Sequence, residues 1–316
     1  MPPTLSPLTS QEDDYGIPPC ITFRGVQYTH IETFTNGISP VGRFSPPSEA
    51  DSKPIAVKYF NPSLPNLPLT AQDAYAVWSE FRDPLLRAGF PDYFECNSTH
   101  QIVEYIHGID VKTLSDYRND LAIPEIRNMV LSIIPQVGAM MDAKIVHGDL
   151  KPANIVIRTG SSLTPQCSST LIDPDTMRRD GFRAQVLVGT PFYMAPELTR
   201  GTYLKTSDAF SLAMTAINLL SCKRYDKDIH EKALVAVDTN KPLAIMRARA
   251  YDRVFTPNAR EFMDHTLVPK AANCRAELHQ LLDFIFRCGH PDPSARPQSG
   301  EEMTQILTTK PNRIEI

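Results

Sequence analysis

Apolar residues recur at helical spacing over residues 124–141. The later part of the chain, SDAFSLAMTAINLL over 207–220 included, reads mostly helical. A period of three to four places side chains on one helix face. A third helix is predicted over about residues 69–88. Trp78, Phe81, Leu85 and Leu86 form its apolar face, Thr70 its N-cap, and Pro84 a kink or early stop. The preceding pattern differs. Over about residues 21–103, short β-branched runs such as PIAVKYF surround that single helix. The order predicts an α+β chain: a small β-rich part with one main helix, then a larger helical part.

The polar segments between these runs carry chemistry. Residues 145–157 read IVHGDLKPANIVI, which puts His147, Asp149, Lys151 and Asn154 in one short loop between two apolar runs. An acid, a cation and an amide so close together are what phosphoryl transfer needs. The acid orients or deprotonates a hydroxyl, the ammonium steadies the moving phosphate, and the amide holds a metal ion. Downstream, TLIDPD delivers Asp173 at the end of an aliphatic run, and residues 189–198 read GTPFYMAPEL. Upstream, PIAVKYF ends near Lys58. Just before it, GISPVGRF carries Gly37, Ser39 and Gly42.

Together these segments resemble the eukaryotic-type protein kinase superfamily, in its serine/threonine branch. The loop is similar to H-R-D-L-x-x-x-N, with Gly148 at the Arg position. TLIDPD resembles the strand ending in D-F-G, with Pro174 and Asp175 replacing Phe and Gly. GTPFYMAPEL, ending in Ala195, Pro196 and Glu197, is the most specific match. PIAVKYF resembles V-A-I-K. GISPVGRF lies on G-x-G-x-x-G-x-V, with Ser39 for the middle Gly and Phe44 for Val. The resemblance covers about residues 34–310.

The resemblance implies a two-lobed α+β fold forming one kinase domain: a tail over 1–20, an N-lobe and hinge over 21–106, and a C-lobe over 107–316. It implies ATP and Mg2+ as cofactors and a serine or threonine hydroxyl of a protein as acceptor. In that reading Asp149 takes the hydroxyl proton and Lys151 stabilises the transferred group. Lys58, held by Glu80, grips the α- and β-phosphates, while Asn154 and Asp173 hold magnesium. Gly37, Ser39 and Gly42 cover the phosphates, and Ala56 lines the nucleotide site. The backbone of Glu104 and Ile106 bonds the adenine, with Val103 as gatekeeper. Asp110 has two readings of equal weight, a ribose contact and a helix N-cap. His147 is structural, and the Thr190 hydroxyl bonds Asp149 and Lys151. Asp208 accepts hydrogen bonds from the catalytic-loop backbone, and Arg296 pairs with Glu197. Gly148 lacks the guanidinium that binds a phosphorylated activation loop, so activity is expected not to depend on that phosphorylation.

Composition narrows the partners. A formal net charge of −4 suggests no nucleic-acid or anionic-membrane surface. No apolar stretch is long enough for a membrane span, and the N-terminus lacks an apolar signal core. Cys20, Cys96, Cys167, Cys222, Cys274 and Cys288 are scattered without metal spacing, as in a reduced, cytoplasmic protein. Residues 1–19, rich in Pro, Ser, Thr and acid, are expected to be disordered. A second reading makes them the secretion address of a bacterial effector acting in a host cytosol. The protein is expected to be a monomer. Three rival functions remain: a pseudokinase scaffold, supported by Gly148, Ser39, Pro174 and Asp175; a small-molecule kinase, where HGDL is common; and transfer of AMP on the same fold.

Overall fold

The computed structural model describes residues 6–7, 15–35, 39–48, 52–60, 66–118, 120–184, 189–190, 192–220, 260–261, 263, 267, 271 and 273–309. They form two compact units, Met1–Arg82 with Pro91–Ile106, and Asp83–Phe90 with His107–Ile316.

The first unit is built on a seven-stranded antiparallel sheet. Its strands are β1 (Ser6–Pro7), β2 (Cys20–Phe23), β3 (Val26–Phe34), β4 (Val41–Ser45), β5 (Ile55–Tyr59), β6 (Tyr93–Cys96) and β7 (His100–Glu104). The order across the sheet is β1-β2-β3-β4-β5-β7-β6. Arg24 and Gly25 join β2 to β3, both with positive φ, the conformation a two-residue hairpin turn needs. The expected N-terminal tail is therefore partly built into the sheet. Ser6 and Pro7 pair with Thr22 and Ile21, and Ile17 is buried.

Register divides the residues of this sheet between two faces, because residues directly opposite each other point the same way. Phe44 lies opposite Ile55, and Gly42 opposite Val57. Phe44, Ile55, Val57 and Ile102 join Ile17, Ile21, Phe23 and Tyr28 in the core. On the other face Val41, Lys58 and Gln101 align in one row and Arg43, Ala56 and Val103 in the next. Arg43, not Phe44, is thus the residue opposite Ala56. Gly42 is explained by the core as well, since a Cβ there would lie 2.7 Å from the Phe44 ring.

Helix α1 (Asn66–Glu80) packs on β6 through Ala71, Ala74 and Trp78. Trp78 meets the Tyr93 ring at 5.3 Å, and the Tyr75 hydroxyl donates to the Phe94 carbonyl at 2.9 Å. The single helix predicted over 69–88 is in fact two. The chain breaks at Phe81 and resumes as α2 (Arg82–Arg87). Pro84 sits in the first turn of α2, where its missing N–H has no intrahelical partner to lose. Thr70 lies inside α1 and is not its cap.

The second unit contains β8 (Gly108–Asp110), α3 (Val111–Tyr117), α4 (Ile123–Asp142), β9 (Ile145–Val146), β10 (Ile155–Arg158), β11 (Ser169–Leu171) and β12 (Arg178–Arg179). The helices α5 (Ser207–Leu220), α6 (Arg275–Cys288) and α7 (Gly300–Thr308) follow. Glu125 caps α4 by accepting the Ala122 N–H. Helix α5 is buried at nearly every position, as the resemblance implies. Helices α4, α5, α6 and α7 pack on one another. Gly138 and Gly300 let α4 and α7 touch through backbone, because a Cβ on Gly138 would lie 2.9 Å from the Gly300 Cα. In front of this bundle β10 pairs with β8 and β11, and β9 pairs with β12, so the loop between β9 and β10 is held at both ends.

Candidate active site

The loop from His147 to Asn154 is anchored from behind by Asp208, in the first turn of α5. One carboxylate oxygen of Asp208 accepts the His147 N–H at 2.7 Å and the other the Gly148 N–H at 3.1 Å. Burial pushes the Asp208 carboxyl up from its ordinary range, and the two N–H donors and nearby His147 work against that. His147 is fully buried. Its Nε2 lies 3.1 Å from the Ile172 carbonyl and its Nδ1 accepts the Asp149 N–H. It is a structural histidine, as the sequence suggested.

Gly148 has φ +80°, and a Cβ there would sit 2.7 Å from the Tyr203 ring and 3.1 Å from the Thr176 carbonyl. The Thr176 hydroxyl donates to the His147 carbonyl at 2.6 Å. The segment after Asp173 is thereby tied to the loop by neutral contacts at the place where an arginine side chain would otherwise project.

The front of the loop is a closed set of hydrogen bonds. Lys151 Nζ donates to Asp149 Oδ2 at 2.6 Å and to the Thr190 hydroxyl at 2.7 Å. The Thr190 N–H donates to Asp149 Oδ1 at 2.7 Å. Asn154 Nδ2 donates to the Asp149 carbonyl at 2.9 Å, which commits the amide nitrogen and turns its oxygen to other use. Asp149 therefore meets Thr190 through backbone N–H, while the threonine hydroxyl serves Lys151.

The β10–β11 hairpin brings Asn154 and Asp173 to the same end. Ile155 lies opposite Leu171, and the Ile172 N–H donates to the Asn154 carbonyl at 2.9 Å. Asp173 has φ +64°, a conformation uncommon outside glycine. It opens the turn in which the Met177 N–H reaches the Pro174 carbonyl. An amide oxygen and a carboxylate at one hairpin end form a hard-oxygen pair of the kind Mg2+ takes alongside phosphate oxygens.

Below the loop lies the Glu197–Arg296 pair. Arg296 Nη1 and Nη2 donate to the two Glu197 carboxylate oxygens at 2.5 and 2.9 Å. The same guanidinium reaches the carbonyls of His290, Thr206 and Pro291.

In the first unit, Lys58 and Ala56 share one sheet face. Glu80 is the last residue of α1. It is exposed, as is Asp73 seven residues earlier on the same side, opposite the buried stripe. Ser39 is buried, and its hydroxyl has no hydrogen-bond partner. Gly37 lies outside the described residues. Glu104 is fixed by Lys53 at 2.6 Å and by the N–H of Asp92, and its own N–H donates to the Asp92 carbonyl. Ile106 is buried. In the second unit both carboxylate oxygens of Asp110 are taken by Thr113, through its N–H and its hydroxyl, so the structure uses Asp110 as the N-cap of α3.

Sequence reasoning did not single out Arg43, Tyr105 or Tyr203. Arg43 is placed by register, Tyr105 by its ring contacts with Arg43 and Phe34, and Tyr203 by a contact between distant segments.

Residues 90–310 match the profile of the protein kinase domain. Among similar proteins, serine/threonine-protein kinase C of Synechocystis sp. is 29% identical over 42% of this chain and 25% of its own length. Serine/threonine-protein kinase PknA of Nostoc sp. is 27% identical over 42% of this chain and 24% of its own. Serine/threonine-protein kinase PkaB of Streptomyces coelicolor is 26% identical over 55% and 44%. The chain thus spans less than half the length of these relatives. Among the described residues no helix is long and apolar enough to cross a membrane.

Proposed function

The chain belongs to the protein kinase family, and we propose that it transfers the γ-phosphoryl group of ATP to a serine or threonine hydroxyl of a protein. The observation that carries this reading is the set of contacts among Asp149, Lys151, Thr190 and Asn154. It aims one carboxylate at an incoming hydroxyl with a cation beside it. The hydroxyl oxygen bonds to the γ-phosphorus as the bond to the β,γ-bridging oxygen breaks, ADP leaves, and the proton passes to Asp149. Lys151 offers positive charge to the moving phosphoryl, and Thr190 holds Lys151 in place. Lys58 takes the α- and β-phosphates, with Glu80 as its carboxylate partner. The loop of Gly37 and Ser39 closes over them.

Asn154 and Asp173 fit as the residues that would hold Mg2+. When bound, the ion would neutralise phosphate charge. Neutral packing of Tyr203 and Thr176 around Gly148 supports catalysis that needs no phosphorylated activation segment.

The test is transfer of labelled phosphate from ATP with magnesium onto a generic basic protein. Wild type, Asp149→Asn and Asp173→Ala are compared before and after phosphatase treatment. We expect transfer by wild type, undiminished by phosphatase, and a fall of about 10²- to 10⁴-fold in Asp149→Asn, the usual scale for removing a general base. No transfer by wild type, with nucleotide still raising the melting temperature, gives the site to a pseudokinase. Loss of most activity on phosphatase treatment removes the claim of independence.

A further inference from the structure

Lys58 shares its sheet face with a polar cluster that the proposed ATP reading leaves unexplained. Arg43 stands directly opposite Ala56, and Gln101 directly opposite Lys58. The Arg43 guanidinium lies over the Tyr105 ring, 4.6 Å from its centre. Tyr105 also stacks on Phe34, with ring centres 6.3 Å apart and an interplanar angle of 19°. Glu32 lies 3.6 Å from Arg43 Nη1. Two buried donors on this face have no hydrogen-bond partner, Arg43 Nε and Gln101 Nε2. Buried polar groups are almost always satisfied, so two unsatisfied donors beside Lys58 point to a ligand that supplies acceptors.

Tyr105 is flanked by Glu104 and Ile106, whose backbone is proposed to take the adenine, and Arg43 adjoins Ala56, proposed to line the same site. We infer that Arg43 is the residue that stacks on the nucleobase, its planar guanidinium presented by Glu32 and Tyr105, so that this chain holds a purine nucleoside triphosphate through a cation where an aliphatic side chain would give only apolar contact. This rests on the nucleotide reading and sharpens it. Stacking by a guanidinium tolerates any purine, because adenine and guanine both offer a π-face.

The experiment measures dissociation constants of ATP, GTP and inorganic tripolyphosphate, each with magnesium, for the full chain. Wild type, Arg43→Val, Arg43→Lys and Lys58→Met are compared, and the unliganded melting temperature of each reports folding. Arg43→Val should weaken ATP and GTP by about 5- to 30-fold and leave tripolyphosphate unchanged. Arg43→Lys, which keeps the charge and loses the plane, should fall between. Lys58→Met should weaken all three ligands.

Equal weakening of tripolyphosphate in Arg43→Val would make Arg43 a phosphate contact and overturn the inference. So would unchanged or tighter ATP binding, the latter marking Arg43 as an obstruction. Wild type binding ATP while Arg43→Val behaves like it would sink this inference alone. Wild type binding none of the three probes would sink the nucleotide reading and this inference together.

Discussion

Replacing Arg296 by methionine should be among the most damaging single changes in the second unit. Arg296 is 2% exposed and Glu197 8%. Methionine preserves much of the apolar stem and its contact with Phe210, whose ring lies 5.1 Å from the guanidinium carbon. What it removes is every donor. Glu197 keeps the Ser207 hydroxyl at 2.7 Å, but both guanidinium bonds are gone, and the carbonyls of His290, Thr206 and Pro291 lose the same partner. Truncating one side of a buried pair costs about 3–5 kcal/mol, because the remaining charge stays buried without compensation. An exposed pair would cost at most about 1 kcal/mol. At about 2–4 °C per kcal/mol for a unit of this size, the melting temperature should fall by roughly 6–20 °C.

The reporter should be far-ultraviolet circular dichroism. Trp78, the single tryptophan, lies in the first unit. The decisive comparison is Glu197→Leu combined with Arg296→Met. Removing both charges takes away the buried unpaired carboxylate, so the double variant should be more stable than Arg296→Met alone. A double variant destabilised by the sum of the two single changes would refute the reasoning, as would Arg296→Met within about 1 kcal/mol of wild type.

Gly148→Ala should lower both melting temperature and turnover. The left-handed backbone costs a non-glycine residue about 1–2 kcal/mol, and the new methyl meets the Tyr203 ring; unchanged turnover would contradict that packing. Thr190→Val keeps the N–H that bonds Asp149 and loses the hydroxyl that holds Lys151. Turnover should fall about 10- to 100-fold with little change in the KM for ATP, as measured by initial rates. His100 gives a pH dependence. Burial holds its imidazole below the ordinary 6.5, against the pull of Glu95. The unfolded chain therefore binds more protons between the folded value and 6.5, so stability should fall as pH drops through that window. His100→Gln should flatten the slope in denaturant titrations across it.

The catalytic loop was legible because its chemistry is local. His147, Asp149, Lys151 and Asn154 lie within eight consecutive residues, and the apolar runs on either side fix where the loop begins and ends. The anchors Asp208, Glu197 and Arg296 were legible only through family resemblance, and their distances agree with that expectation. The faces of β4 were not legible from motif spacing. Strand register turns Phe44 into the core and presents Arg43 on the face of Ala56 and Lys58. The break at Phe81 was hidden because an apolar residue there continues the helical pattern. The pairing of Ser6 and Pro7 with β2 depends on an open sheet edge formed by residues further along the chain, which no local composition reveals. Tyr203 was invisible for a similar reason: the pattern showed an absence at Gly148 but not the ring that fills it.

The long span between Glu197 and Arg296 bears on how the protein is made. Ninety-nine positions separate the two partners. At about 5–20 residues per second, the ribosome delivers the guanidinium roughly 5–20 s after the carboxylate. Throughout that interval the nascent chain carries the whole catalytic loop but not the cation beneath it, and α7, which closes on α4 through Gly138 and Gly300, is still to come. The second unit cannot complete its folding from the N-terminal side as it emerges. It waits for its final helices, and a chain cut short before Arg296 would display every residue of the catalytic loop on a scaffold unable to close.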